Sequence, residues 1–264
     1  MIDLHCHILP GLDDGPSALD ESVEMARSAE SAGIGTVVAT PHVREDYPFD
    51  LSEIGARADQ VGQAIDDAGI SLQIVEGGEV AISKLPQLDT AARRAVCLGE
   101  GPFMLVESPY TDVGDLLEES VFELQLQGIR PVLAHPERCP SFLRDIARVE
   151  QLVERGILCS VTGASVLGRF GGEVRQFTFE LFRRGLVHDV ASDAHNDRGR
   201  PMTLRTAFGE LDDAMPGIGD YANWFTVEAP AAILAGRDLP GAPPVVPARR
   251  RVRGLFARRH GGRR

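Results

Sequence analysis

Paired cysteines are missing from this sequence. The four that occur, Cys6, Cys97, Cys139 and Cys159, are scattered with no C-x-x-C pair, which argues against both a disulfide framework and a thiolate zinc site. None is followed six positions later by arginine, those positions being Leu12, Phe103, Asp145 and Ser165. Phosphate chemistry on a cysteine nucleophile is thereby excluded. There is no G-x-x-x-x-G-K-[ST] loop, and Gly171-Gly172, inside an irregular segment, reads as a turn rather than a phosphate nest. No apolar run approaches the roughly 18 residues of a membrane span, and the first residues, which include Asp3, His5 and His7, do not read as a charged leader before an apolar core. A cytoplasmic location is expected. No repeat of fixed period is visible.

What is present is an ordinary globular composition, 43% hydrophobic and 25% charged over 264 residues, enough for one large domain or two small ones. The net charge of −12 hides an asymmetry. Residues 248–264 hold eight arginines and no acid, so residues 1–247 carry 19 basic against 39 acidic side chains, a net charge of −20. An acidic body argues against nucleic acid as a partner. The basic end, after the Pro/Ala/Gly-rich stretch Leu239–Ala248, reads as a flexible arm, expected either to lie solvated or against the acidic body, or to meet a membrane face or an acidic partner. The expected division is a domain over 1–238 and a disordered linker and Arg-rich tail over 239–264.

Short apolar segments alternate with amphipathic ones. Strands are expected at Ile2–Ile8, Thr36–Thr40, Leu72–Val75, Phe103–Glu107, Arg130–His135, Ile157–Val161 and Leu186–Ala191. Helices are expected from the capping-box-like Ser17-Ala-Leu-Asp20 to Gly33, over Leu51–Ala68, weakly over Leu85–Arg94, and over Asp115–Gln127, Phe142–Arg155 and Glu173–Arg184. Further helices over Met202–Ala235 are interrupted at Pro216 and Gly217. Seven strands alternating with helices imply an α/β fold with a parallel sheet, and at this length a closed or distorted barrel.

The polar residues fall where such a barrel keeps its chemistry. Period two places Asp3, His5 and His7 on one face of the first strand and Ile2, Leu4, Cys6 and Ile8 on the other. Imidazoles and a carboxylate on one face need water or a cation. His42 follows the second strand, Glu79 the third, Glu107 ends the fourth, His135 ends the fifth, and Asp193 and His195 follow the seventh. Five of the seven histidines thus lie at strands or strand ends, the rim on which parallel barrels carry active sites. Nitrogen and oxygen donors without thiolate suit manganese, iron, zinc or cobalt, and the excess of histidine argues against calcium or magnesium. So many ligands require two or three ions, with Glu107 or Asp193 bridging, an arrangement suited to phosphoester displacement.

Together, His5-x-His7, Pro41-His42, Gly78-Glu79, Val106-Glu107, Ala134-His-Pro-Glu-Arg138 and Ser192-Asp-Ala-His195 resemble the polymerase and histidinol phosphatase (PHP) superfamily of metal-dependent phosphoesterases. The opening D-x-H-C-H-I-L-P-G-x-D-D-G-P and the late Pro230-Ala-Ala-Ile-Leu-Ala-Gly236 look like its bacterial CpsB-like tyrosine phosphatases of capsule and exopolysaccharide systems. The resemblance implies a distorted (β/α)7 barrel with a trinuclear, usually manganese, cluster at its carboxyl-terminal rim. It implies that His5, His7, Glu107 and Asp193 hold one ion, Glu79, Glu107 and His135 a second, and Asp14, His42 and His195 a third. Arg138 and Arg200 would grip the phosphate, and a metal-bound hydroxide would attack a phosphotyrosine of a bacterial tyrosine kinase, with Asp14 or a metal-bound water as acid. Asp3 is expected to orient a histidine, and Asp13 to be a turn residue. The loop Arg44–Asp50 departs from the Gly/Asn-rich loop expected after T-P-H. Amidohydrolases share the H-x-H strand but bridge their metals with a carbamylated lysine, and the single lysine, Lys84, lies in a weak helix. A small-molecule phosphatase of the histidinol-phosphate type, or a regulatory protein retaining metal as a staple, are the alternatives.

Overall fold

The computed structural model describes residues 1–244; the Arg-rich segment 248–264 lies outside the described residues. Within them the strands are β1 (Ile2–Cys6), β2 (Thr36–Ala39), β3 (His42–Val43), β4 (Gln73–Glu76), β5 (Glu79–Ala81), β6 (Phe103–Glu107), β7 (Arg130–Ala134), β8 (Leu158–Thr162) and β9 (Asp189–Ala191). Every pairing is parallel, in the orders β1-β2-β4 and β3-β5-β6-β7-β8-β9.

Nine segments occupy the seven expected positions because two strands are broken. β2 resumes as β3 after Thr40-Pro41, where proline has no N–H for the ladder. β4 resumes as β5 after Gly77-Gly78, where an added Cβ would stand 3.0 Å from Val38 at Gly77 and 3.0 Å from Val43 at Gly78. The Glu79 N–H donating to Pro41 O (3.1 Å) ties the two breaks together. The ring runs on from β9 to β1 through a seam rather than a regular ladder: Asp193 N–H donates to His5 O and His7 N–H to Ala194 O, both 2.9 Å. This is a distorted barrel.

Two apolar clusters show which face is which. Phe103 and Leu105 join Leu4, Val38, Val132, Ala134 and Leu158 in the smaller cluster, while Met104 and Val106 join the larger one with helix residues such as Met25, Ile54 and Phe142. Period two therefore puts the smaller cluster inside the ring and the larger between strands and helices. Glu107 continues the inward series of β6 at the carboxyl end. The first strand departs from simple alternation. A register shift between Asp3 and Cys6 splits its apolar residues, Leu4 into the inner cluster and Cys6 and Ile8 into the outer, so the single apolar face expected there does not exist.

The helices follow the expected order with local differences. The first spans Leu19–Ser31, and the carboxylate that caps back to Ser17 is Glu21 (2.6 Å from N–H, 2.9 Å from Oγ), not Asp20. Phe142–Arg155 is two helices, Pro140–Arg144 and Ala147–Glu154, because Asp145 is extended (φ −146°, ψ 95°). Leu85–Arg94 divides into a 3-10 turn, Leu85–Gln87, and a helix, Thr90–Ala95, that Asp89 caps. Beyond residue 238, Leu239 packs on both apolar clusters, so the boundary expected there is not marked by loss of packing. Among the described residues no helix is long and apolar enough to cross a membrane.

Candidate metal centre

The rim collects its polar residues from strand ends, and two of them hold unusual backbone. His135 (φ 37°) and Asp193 (φ 52°) are the non-glycine residues with positive φ among the described residues. Each such residue costs roughly 1–3 kcal/mol, and the cost concentrates at functional sites. Both stand immediately past or within three residues of a strand end, so the left-handed step turns their side chains over the mouth of the ring.

Three groups of side chains each bring one ligand atom within 4.8 Å of one another: His7, Asp14, His42 and His195; His5, His7 and Asp193; and His42, Glu79 and Glu107. All are buried except Asp14, which is exposed. His135 adjoins the third group through Nε2, 2.8 Å from Glu79 Oε1. All nine residues expected as ligands therefore lie at this rim. Glu107 stands with Glu79, as expected for the second ion, and with His42, but outside the group of His5, His7 and Asp193. Glu79 is the central one, its Oε2 lying 3.2 Å from His5 Nε2, 3.4 Å from His7 Nε2 and 2.8 Å from His42 Nδ1.

The donor chemistry fits cations. Glu79 Oε2 is buried among three imidazole nitrogens yet has the alignment of a hydrogen bond with none, and His5 Nδ1, His42 Nδ1 and His135 Nδ1 are likewise buried without a partner. His5 Nε2 and His7 Nε2 face each other at 3.1 Å. Polar atoms buried this way cost several kcal/mol unless something satisfies them. Lone pairs converging from imidazole and carboxylate are what a divalent ion takes.

The electrostatics agree. Burial, then the positive charge of Arg138, pulls the His135 imidazole down to about 4, and burial with His7 does the same for His195, also to about 4. Both are neutral at pH 7, as a metal-binding imidazole must be. Burial opposes ionisation of Glu79 and Asp193, but the surrounding imidazoles, His5 foremost, hold both carboxyls well below the usual range. Burial also disfavours charge on Asp14, and His195 and His42 overcome it, so Asp14 stays ionised. That suits it to holding a cation and not to donating a proton. Glu107 moves the other way, raised first by burial and then by Glu79. Burial lowers His7, but Asp13 outweighs it and raises the imidazole well above its ordinary value. The field at this rim attracts positive charge.

Asp13 makes the turn contact expected of it and also takes the orienting role expected of Asp3. His7 Nδ1 meets Asp13 Oδ2 at 2.6 Å, and Asp13 also accepts the backbone N–H of His42 (2.9 Å) and of Gly15 (2.9 Å). It is the carboxylate that orients a histidine. Gly15 is required beside it, since a Cβ there would fall 2.5 Å from His7 O. Asp3 touches no imidazole ring; its Oδ1 accepts the N–H of His5 (3.3 Å) and of Ser192 (2.9 Å), stitching the β1 to β9 seam.

Two guanidiniums reach the same rim. Arg138 Nη1 donates to Asp193 Oδ2 at 2.8 Å and Arg200 Nη2 to the same oxygen at 2.6 Å, with Arg200 Nη1 2.9 Å from His195 Nε2. The Arg138 guanidinium lies between the rings of Tyr110 (4.8 Å) and Phe170 (4.2 Å). Residues not expected as ligands or phosphate-gripping arginines complete the rim, two of them in the loop Arg44–Asp50. Tyr110 stacks on His135 (5.4 Å, 16°), Tyr47 stacks on His42 (5.5 Å, 7°), and Arg44 Nη1 reaches Glu107 Oε1 at 3.2 Å. The available signal was position: Tyr110 follows the strand-end Glu107 by three residues, and Arg44 and Tyr47 follow His42 by two and five. Cys6 lies in the outer cluster with Sγ 3.7 Å from Ala194 O, a packing role.

Residues 1–235 match the family described as capsular polysaccharide synthesis, CpsB/CapC. The chain is 34% identical to the tyrosine-protein phosphatase YwqE of Bacillus subtilis (strain 168) over 97% of this chain and 100% of that protein. It is 29% identical to the tyrosine-protein phosphatase CpsB of Streptococcus pneumoniae over 79% of this chain and 88% of that protein. A crystal structure from the pair YwqE of Bacillus subtilis and CpsB of Streptococcus pneumoniae, described as unique metal-dependent tyrosine phosphatases, superposes with a TM-score of 0.83 at 33% identity, covering 95% of this chain and 100% of that one. An organophosphorus hydrolase of Deinococcus radiodurans shares the fold, with a TM-score of 0.56 at 15% identity over 88% of this chain and 92% of that one.

Proposed function

The chain belongs to the CpsB/CapC family, and from that premise we propose that it is a metal-dependent protein-tyrosine phosphatase acting on the phosphotyrosines of a bacterial tyrosine kinase in capsule or exopolysaccharide synthesis. The observation that carries this is the convergence on one rim of five histidines and four carboxylates, with two arginines sharing Asp193 Oδ2 beside them. A structural metal site needs about four ligands and no anion-binding arginines. Phosphotyrosine is made from ATP, which places substrate and phosphatase in the cytoplasm. The catalytic unit is residues 1–238, and the tail 239–264 is an accessory to it.

In this function His5, His7 and Asp193 would hold one ion, Glu79, Glu107 and His135 a second, and Asp14, His42 and His195 a third; the nitrogen and oxygen donors suit manganese, iron, zinc or cobalt, and manganese is the metal proposed. Bound divalent ions supply Lewis acidity and a water of low pKa. The remaining work belongs to the side chains. Arg138 and Arg200, held side by side through Asp193, offer planar forks to the equatorial phosphate oxygens, where charge accumulates. Asp13 keeps His7 in one orientation, leaving its Nε2 toward the centre. Asp14 stays ionised, so protonation of the leaving group does not come from it. A phenolate with pKa about 10 leaves with little help.

The full chain with Mn2+ is expected to hydrolyse a phosphotyrosine peptide in preference to histidinol phosphate, with activity abolished by EDTA and by His5→Ala or His135→Ala. Turnover indifferent to EDTA or to both substitutions would remove the enzyme from consideration. A preference for histidinol phosphate would replace the substrate.

A further inference from the structure

Resting on the phosphatase function above, we propose that a cavity of about 400 Å³ beside Glu107 receives the phenyl ring of the substrate and selects aryl over alkyl phosphates. The cavity opens between two loops, one following β3 with Arg44 and the other following β6 with Pro109, Tyr110 and Val113; Ala81 and Ile82, just past Glu79 on β5, lie between them. The sheet order β3-β5-β6 puts these loops on either side of one strand, so the cavity is a gap in the rim itself.

Its walls connect directly to the metal centre. Glu107 belongs both to the cavity and to the group with His42 and Glu79. On one wall Tyr110 stacks on His135, lies 4.8 Å from the Arg138 guanidinium carbon, and remains 43% exposed although it is a large aromatic. On the other wall Arg44 is held flat by Asp46 through Nε (3.1 Å) and Nη2 (2.7 Å). A phosphate gripped by Arg138 thus has an aromatic ring and a second guanidinium plane flanking the path of its ester substituent. An aromatic ring is the group that gains from both, through aromatic pairing and cation–π attraction. The volume lies within the range of small-ligand sites, roughly 300–1,000 Å³.

The groove beside His195 does not offer this. It is lined by Asp20, Glu21, Glu24, Asp197 and Arg198, and apart from His195 it has no aromatic side chain, so it gives an aryl group no comparable stacking surface.

The test fills the cavity from two walls without touching an expected metal ligand or phosphate-binding arginine. Thr111 and Ser83 both line it and are exposed; the variants are Thr111→Trp and Ser83→Trp, two independent plugs in case one does not fold. Binding of phenylphosphonate, methylphosphonate and inorganic phosphate to the Mn2+-loaded full chain is measured by calorimetry. Wild type should prefer phenylphosphonate over methylphosphonate by about tenfold. Each folded plug should bring that ratio close to one while phosphate affinity stays within about twofold. An unchanged ratio, or parallel weakening of all three ligands, overturns the proposal. Wild-type turnover of a phosphotyrosine peptide is recorded alongside. Turnover with a plug-insensitive aryl preference discards the subsite alone, whereas aryl preference lost to the plugs with no turnover discards the phosphatase function and retains an aryl-phosphate binding site.

Discussion

Asp189→Asn is expected to stabilise the protein by an amount that grows with pH. The Asp189 side chain sits fully buried at the start of β9, its Oδ2 accepting the Ser160 hydroxyl from the neighbouring strand and its Oδ1 without a partner. Burial pushes its carboxyl up, the Ser160 hydroxyl pulls partly back, and the nearby Asp3 pushes further, leaving it at about 8 against an ordinary 3.8. The sign follows from proton counting. Below about pH 4 folded and unfolded chains both carry the proton, and this group takes nothing from stability. Between about 4 and 8 only the folded chain binds it, so stability falls by about 1.4 kcal/mol per pH unit as pH rises. Above 8 the loss is complete. Asparagine has no proton to lose, so the unfolding free energy of the variant minus that of wild type should widen by up to about 4 kcal/mol between pH 5 and pH 8. The partnerless Oδ1 position becomes an amide N–H in the variant, a constant offset of about 1–3 kcal/mol, so the informative quantity is the slope. Urea unfolding followed by Trp224 fluorescence, at fixed Mn2+ and ionic strength, measures it. A difference that stays flat from pH 5 to pH 8 would refute the assignment of a protonated Asp189.

Other perturbations address the rim. Asp13→Ala removes the partner of His7 Nδ1 and should weaken Mn2+ binding or lower kcat by about 10- to 100-fold, read by metal titration; unaltered affinity and rate would return Asp13 to a turn residue. Gly15→Ala forces its Cβ against His7 O, a clash costing about 1–3 kcal/mol, and should lower Mn2+ affinity in the same titration while melting as a single cooperative transition. Arg138→Lys replaces a planar fork with a point charge and should lower kcat/KM by roughly 30-fold, about 2 kcal/mol, with Mn2+ affinity retained; equal rates for the two residues would mean that Arg138 does not grip phosphate.

Much of the rim was legible in the linear chain because parallel α/β folds bring all strand carboxyl ends to one side. His5, His42, Glu79, Glu107, His135 and His195 each sit at or just past a short apolar segment, and that placement survives errors of a residue or two in strand limits. Asp13 was not legible. In Asp13-Asp14-Gly15 a carboxylate beside glycine is fully explained by a turn, and nothing local reveals that its other oxygen meets His7 six residues earlier. Asp3 misled for the complementary reason. Alternation placed it with His5 and His7, but the register shift in β1 turns it to the backbone of the seam.

By itself the sequence determined the α/β alternation, the parallel strand pairing, most of the polar side chains that gather at the rim and the lack of a cysteine followed six positions later by arginine. These follow from short-range sterics, period-two and period-3.6 patterning, and donor chemistry, all local to a few residues. Only the tertiary structure decided which carboxylate meets which imidazole. Glu79, 56 residues from His135, and Asp193, 188 residues from His5, acquire their partners when the ring closes through the His5 to Asp193 seam and through the breaks at Pro41 and Gly77-Gly78. Contacts across such separations are set by how strands tilt and kink around a common core, and no local pattern encodes that Glu107 meets His42 as well as Glu79.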